Sequence, residues 1–238
     1  MTTGLVPTMG ALHEGHRALL RAARAENDRV VMSLFVNPAQ FGPGEDFDRY
    51  PRDEQRDREI AEQEGVDEVY APSVEEMYPA GFATRVVSDL GGRLEGAARP
   101  GHFDGVVTVV LKLFLRTSPD RAYFGQKDAQ QLAVIRRMVG DLDVPVEVRS
   151  VPTQREPDGL ALSSRNAYLS AEERTRAASL HRALVAHDAS LVEGEVEYFE
   201  VVDPDTFEPA PARPGALLVA AARFGSTRLI DNVMLEDE

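Results

Sequence analysis

Short apolar runs alternate with longer amphipathic stretches from residue 3 to residue 151, and this alternation restricts the fold more than any other feature of the chain. TGLVP (3–7), RVVMSLFV (29–36), DEVYAP (67–72), RAYFG (121–125) and VPVEVRSV (144–151) have the length and the β-branched or aromatic content of strands. RVVMSLFV is apolar without alternation, as in a strand buried on both faces. Between the runs, GHRALLRAARAEN (15–27), a charged stretch around 52–64, GVVTVVLKLFLRT (105–117) and KDAQQLAVIRRMVGDL (127–142) read as helices. TRVVS (84–88) is a further short apolar segment. Strands alternating with helices imply βαβ units, and therefore an α/β, doubly wound parallel sheet with its ligand at the carboxyl ends of the strands.

The pattern changes after Thr153. The loop QREPDGLALSSRN leads to a helix that opens on Ser170 with Glu173 three residues later, a capping box. Three β-rich runs follow, VEYFEVV (196–202), ALLVAAARF (216–224) and TRLIDNVML (227–235). The expected organisation is an α/β domain over 1–153 and a smaller α+β domain over 154–238. There is no internal repeat, and PDTFEPAPARPG (204–215) is a turn-rich connector.

With 238 residues, 43% of them hydrophobic, the chain can bury a substantial core. No run approaches a membrane span and the N-terminus lacks a signal-peptide pattern, so cytoplasmic residence is expected. The absence of cysteine excludes disulfides and thiolate ligation. A formal net charge of −14 argues against nucleic-acid or anionic-membrane partners, because a phosphate backbone is held by clustered Lys and Arg. A small anion in a locally basic pocket remains compatible. Lysine occurs only at Lys112 and Lys127. Lys112 lies in an apolar helical run and reads as a snorkelling or surface residue, whereas Lys127 follows a strand in FGQKDAQQ.

Two of the five histidines fall within PTMGALHEGH (7–16), where a strand end feeds a helix. Three readings are open. His13 and His16 are ordinary surface or cap residues; or they ligate a metal, although HEGH does not match HExxH and no cysteine is present; or they flank an anion site. In the third reading, backbone N–H groups and the helix dipole attract a phosphate, Gly10 and Gly15 allow close approach, and the imidazoles donate hydrogen bonds to it. No GxxxxGK[ST], GxGxxG or GxSxG occurs, so such a site is of another type.

HEGH together with LSSRN (162–166) resembles the HxGH nucleotidyltransferase superfamily. The ordered set PTMGALHEGH, FVNPAQF, YPR, RPGHFDGV, FGQKDAQQL, DGLALSSRN and RFGSTRLIDN is similar to the pantothenate synthetase family in particular. That resemblance implies a Rossmann-like first domain, a second domain acting as a lid, and ATP-dependent condensation of pantoate with β-alanine through a pantoyl adenylate. By the same resemblance, Met9, Gly10, Ala11, Leu12, His13, Glu14, Gly15 and His16 line the ATP site, with Gly125, Gln126, Lys127, Asp128, Gln154, Leu162, Ser163, Ser164 and Arg165. His13, His16, Lys127, Ser163, Ser164 and Arg165 are the implied catalytic groups. Pro7, Thr8, Met9, Asn37, Gln40, Tyr50 and Gln131 are the implied substrate contacts. Mg²⁺ is implied with the triphosphate, and Asp57 matches a metal-linked carboxylate, although it is expected on a charged helix face. A homodimer is also implied.

Some positions depart from the family pattern. A further strand and helix would precede the PTMG strand, and helices normally found between Leu184 and Val196 are missing. Gln126, Ala129 and Leu162 stand where Glu, an aromatic and Met are frequent. A shortened lid leaves three functions open: the adenylate-forming ligase, a nucleotidylyltransferase that stops at the adduct, and a nucleotide-binding module without turnover.

Overall fold

The computed structural model describes residues 1–236. The chain divides into two compact units: Met1–Gly125 with Val134–Val151, and Gln126–Ala133 with everything from Pro152 onward. The Gln126–Ala133 segment thus groups with the second unit, although it lies well inside the expected first domain.

The first unit holds five strands, β1 (Thr3–Thr8), β2 (Arg29–Leu34), β3 (Glu68–Tyr70), β4 (Arg121–Gly125) and β5 (Glu147–Val151). They form a parallel sheet in the order β3-β2-β1-β4-β5, the doubly wound, Rossmann-like arrangement. The order reverses beside β1, so the switch point lies where β1 ends and the PTMGALHEGH turn begins. Helix α1 (Glu14–Glu26) links β1 to β2, and α2 (Glu54–Gln63) links β2 to β3. Two single-turn helices, α3 (Val74–Met77) and α4 (Glu95–Ala98), precede the long α5 (His102–Thr117). From Val134 onward α6 (Ala129–Asp141) also belongs to this unit. Val6, Leu12, Leu20, Val30, Met32, Ile60 and Tyr123 form the core beneath α1 and α2.

Three strands are shorter than their apolar runs. β2 ends at Leu34, where the chain turns into the Asn37 loop. β3 covers only Glu68–Tyr70, and the neighbouring Asp67 places a carboxylate oxygen 2.7 Å from the Val30 amide. β5 starts at Glu147 because Pro145 has no N–H to give to a ladder. TRVVS forms no regular element. The helical expectation for 105–117 holds: α5 is apolar on almost every side and buries residues around most of its circumference. It passes so close to the 3₁₀ turn Pro38–Gln40 that a Cβ at Gly105 would lie 2.2 Å from the Ala39 carbonyl oxygen. Lys112 lies partly buried on this helix, its ammonium 4.9 Å from the centre of the Phe82 ring.

The second unit packs two consecutive short helices, α7 (Ala171–Ala177) and α8 (Ser179–Val185), on an antiparallel sheet of β6 (Glu195–Val202), β7 (Leu217–Phe224) and β8 (Thr227–Met234). The Ser170–Glu173 capping box forms as expected: the Glu173 amide donates to Ser170 Oγ at 3.2 Å, and the Ser170 amide to Glu173 Oε2 at 2.8 Å. β7 is central and almost wholly buried, and its Leu218, Ala220, Ala222 and Phe224 meet Leu160, Leu180 and Leu184 in a separate core. Between Val185 and Glu195 there is only the 3₁₀ turn Ala189–Leu191. No helix among the described residues is long and apolar enough to cross a membrane.

Candidate active site

The turn after β1 is built by its own side chains. His13 is the N-cap of α1, and its Nδ1 accepts the Gly15 amide at 3.1 Å. In return His16 Nδ1 accepts the His13 amide at 3.2 Å, which makes a capping box from two imidazoles whose centroids are 4.1 Å apart. These bonds satisfy two of the amides expected to face an anion. A neutral ring whose Nδ1 accepts carries its proton on Nε2. Both histidines are therefore Nε2–H donors at a helix N-terminus, where the dipole favours negative charge. Glu14, in the first turn of α1, pairs with Arg21.

Asp57 corrects an expectation. It is not on a charged outer face of α2 but 1% exposed, with Oδ2 2.9 Å from the Ala11 amide and Oδ1 2.8 Å from the Leu12 amide. Both carboxylate oxygens are engaged in shaping the turn, and Asp57 is a structural anchor of the loop after β1. Gly10 lies over it with φ +87°, and a Cβ there would come within 2.7 Å of Asp57 Oδ2. Helix periodicity carries the signal for its burial, since Ile60 and Ala61, three and four residues on, are the other inward positions of α2, while Glu54, Arg58 and Glu62 are exposed. Among the described residues no three His, Asp or Glu side chains are grouped as metal ligands. The residues present make no cage for magnesium, which would have to rest on phosphate oxygens and water.

A buried polar network lies beside this turn in the same unit. Asn37 donates from Nδ2 to Gln40 Oε1 at 2.9 Å and to the Gly105 carbonyl at 3.1 Å. Its Oδ1 accepts the Tyr78 hydroxyl at 2.7 Å. Gln40 reaches Met9 Sδ at 3.2 Å, which joins the 3₁₀ turn to the end of β1. The Gln40 carbonyl accepts from His102 Nδ1 at 2.8 Å, while His102 Nε2 faces Arg99 Nη1 at 3.0 Å and Arg99 pairs with Glu45 at 2.6 Å. The carbonyl and the guanidinium assign the His102 proton to Nδ1. Burial, reinforced by the Arg99 charge, pushes the His102 pKa down to about 4, so the ring is neutral. Burial pushes Glu45 up, but the Arg99 hydrogen bond and charge outweigh it and hold the carboxyl below its usual range.

Of the expected substrate contacts, Met9, Asn37 and Gln40 are thus joined. Thr8 is buried and its hydroxyl donates to the Ser33 carbonyl at 2.8 Å, with Pro7 half-buried before it. The Tyr50 ring is buried edge-on against Phe41, 5.9 Å between centroids. Sequence reasoning assigned no role to Tyr78, Arg99 or His102. RPGHFDGV was visible as a motif, but nothing in it says that its Arg and His turn inward onto a carbonyl.

In the second unit, Gln126, Lys127 and Asp128 form one 3₁₀ turn ahead of α6, with Gly125 closing β4 before it. Lys127 Nζ lies 3.4 Å from Asp128 Oδ1. Gln131 is half-buried, and the neighbouring Gln130 is buried. The Gln154 carbonyl accepts the Leu162 amide at 2.9 Å, closing the loop that carries the serines. Ser163 caps the 3₁₀ helix Ser164–Tyr168 and its Oγ accepts the Arg165 amide at 3.3 Å. Arg155 makes a two-pronged ion pair with Asp231, which is buried, at 2.6 and 3.0 Å.

Fold and site together define a class: a Rossmann-like α/β protein whose first crossover helix is capped by paired imidazoles, with a small α+β unit that carries a lysine turn and a serine-rich loop. The sequence profile of pantoate–β-alanine ligase matches residues 1–234. The chain belongs to the pantoate–β-alanine ligase family. A pantothenate synthetase from Moorella thermoacetica is 56% identical over 99% of this chain and 92% of its own length. That alignment spans 259 positions against 238 residues here, so the relative holds at least 21 that this chain lacks. The crystal structure of pantothenate synthetase from Thermus thermophilus superposes with a TM-score of 0.95 at 52% identity, over 100% of this chain and 94% of that one. A pantoate–β-alanine ligase from Francisella tularensis, crystallised with beta-gamma ATP and β-alanine, gives 0.87 at 35% identity, over 100% and 91%.

Proposed function

We propose that this chain condenses pantoate with β-alanine, using ATP, and releases AMP and pyrophosphate. In the first half-reaction a pantoate carboxylate oxygen attacks the α-phosphorus and the bond to pyrophosphate breaks, leaving pantoyl adenylate. In the second, the β-alanine amine attacks the acyl carbon, AMP departs with the electron pair of the acyl–oxygen bond, and the amine loses a proton. Adenylation replaces oxide, a poor leaving group, with a phosphate monoester.

The reciprocal imidazole cap at the start of α1 carries this reading, in a chain of this family. His13 and His16 are assigned to the triphosphate as fixed neutral donors, which stabilise developing charge without reorganising. His16 acts here as a hydrogen-bond donor; serving as an imidazolium acid would require a proton on the Nδ1 that holds the His13 amide. From the second unit, Lys127 is assigned to the triphosphate as a compact charge, with Ser163, Ser164 and Arg165 as further donors. Gln40, fixed by Asn37 and Met9, is assigned to pantoate, with Gln131 as a second amide contact. Magnesium would accompany the triphosphate, and no step is assigned to it. The family likeness also extends the proposal to a cytoplasmic homodimer.

The test incubates the protein with ATP, Mg²⁺ and pantoate, with and without β-alanine, following pyrophosphate, AMP and pantothenate. Pyrophosphate release with pantoate alone, and AMP with pantothenate only when β-alanine is added, is the expected result. Pyrophosphate without amine-dependent AMP indicates a nucleotidylyltransferase. ATP binding in calorimetry with no product indicates a module that does not turn over.

A further inference from the structure

Asp231 and Asn232 are consecutive in β8, and the terminal motif RLIDN that contains them has no part in the reaction as described. Their contacts reach two segments far away in sequence. The Asn232 carboxamide nitrogen donates to the carbonyl oxygens of both Gln126 and Lys127, each at 3.0 Å. Asp231 grips Arg155, whose Nη1 also donates to the Gly159 carbonyl at 3.1 Å, inside the loop that leads to Ser163. The two anchors are joined to each other: the Asn232 amide donates to Asp231 Oδ1 at 2.8 Å.

We propose that Asn232 is a positioning residue for Lys127 and that, with Asp231, it holds the lysine turn and the serine-rich loop in a fixed relation. This rests on the assignment of Lys127 to the triphosphate. An amide nitrogen carries two hydrogens and can satisfy two carbonyls at once, which neither Asp nor Ala can do at this position. The backbone under Lys127 is thereby tied to a strand, and the ammonium swings from a fixed base. A misplacement of about 1 Å costs on the order of 10²-fold in reactions that depend on alignment.

A double-mutant cycle on the full chain tests this, read as pyrophosphate release and as separate KM values for ATP and pantoate. Asn232→Ala should lower kcat/KM for ATP by about 10- to 100-fold while the pantoate KM stays within about twofold. In a Lys127→Ala background the same change should cost less than about twofold, because the group it positions is gone. Asn232→Asp, similar in size but facing two carbonyls with a carboxylate, should be at least as damaging as Ala and gives a second variant should the first not fold. Full additivity with Lys127→Ala, an equal rise in pantoate KM, or normal activity of Asn232→Asp would overturn the positioning role. Normal turnover of Lys127→Ala alone would remove the site assignment beneath it, and the positioning role with it.

Discussion

His13 and His16 cap the same helix end reciprocally, each ring accepting a backbone amide of the turn at its Nδ1, Gly15 for one and His13 for the other. The bonds that hold the turn are therefore the bonds that orient the donors. His16→Ala should lower kcat for adenylation by about 10²- to 10³-fold, the scale for losing one preorganised donor. It should also cost about 1 kcal/mol of stability as a lost cap. Steady-state kinetics and denaturant titration read the two effects separately. Wild-type turnover, or an activity that rises on acidification as an imidazolium acid would require, counts against neutral donors.

Asp57 should matter through the loop it shapes. Asp57→Asn replaces one acceptor with an N–H that faces an amide, at a cost of about 1–3 kcal/mol for the donor left unsatisfied. The KM for ATP should rise with it. Gly10→Ala meets both a positive φ and the Asp57 oxygen, and should be destabilising by at least 1 kcal/mol or so. A Gly10→Ala protein that melts like the parent would show that the turn tolerates displacement.

His102 makes stability depend on acidity. Its folded pKa of about 4 lies below the ordinary histidine value of 6.5, so between these values the unfolded chain takes up a proton that the folded chain refuses. Stability should be complete above about pH 6.5 and decline on the order of 3 kcal/mol as pH falls to 4. Glu45, whose carboxyl is held low by Arg99, adds a loss of the same sign at still lower pH. Denaturant midpoints at pH 7 and pH 4.5 should differ strongly in the parent and much less in His102→Gln. An equal decline in the variant places the sensitive group elsewhere.

Gln40 should report on the acid substrate alone. Gln40→Ala is expected to raise the pantoate KM by about tenfold or more, as loss of a buried polar contact of 1–3 kcal/mol implies, with the ATP KM nearly unchanged. Tyr78→Phe, which removes only the hydroxyl on Asn37 Oδ1, should give a smaller change in the same direction. If ATP affinity falls in parallel, Gln40 serves the fold rather than the substrate.

Much of this protein is legible in its sequence. Period and length identify strands and helices wherever burial is the main demand, as in RVVMSLFV and in the apolar run of α5. Local signals worked where both partners are close in sequence, as in the Ser170–Glu173 box. They stopped working at element ends, where a residue with no N–H to give ends a ladder, as Pro145 does before β5.

The residue pattern by itself determined the α/β class, the later α+β unit, the motifs and the types of group available for the chemistry, because these depend on local spacing and composition. Only tertiary structure decided what those groups do. Asp57 became the floor of the turn after β1, His102 the support of Gln40, and Asn232 the anchor of the Lys127 backbone, through contacts that span 45, 62 and 105 residues. Hydrogen-bond partners so distant leave no periodic trace in a sequence, since what selects them is the direction of a side chain after the chain has closed on itself.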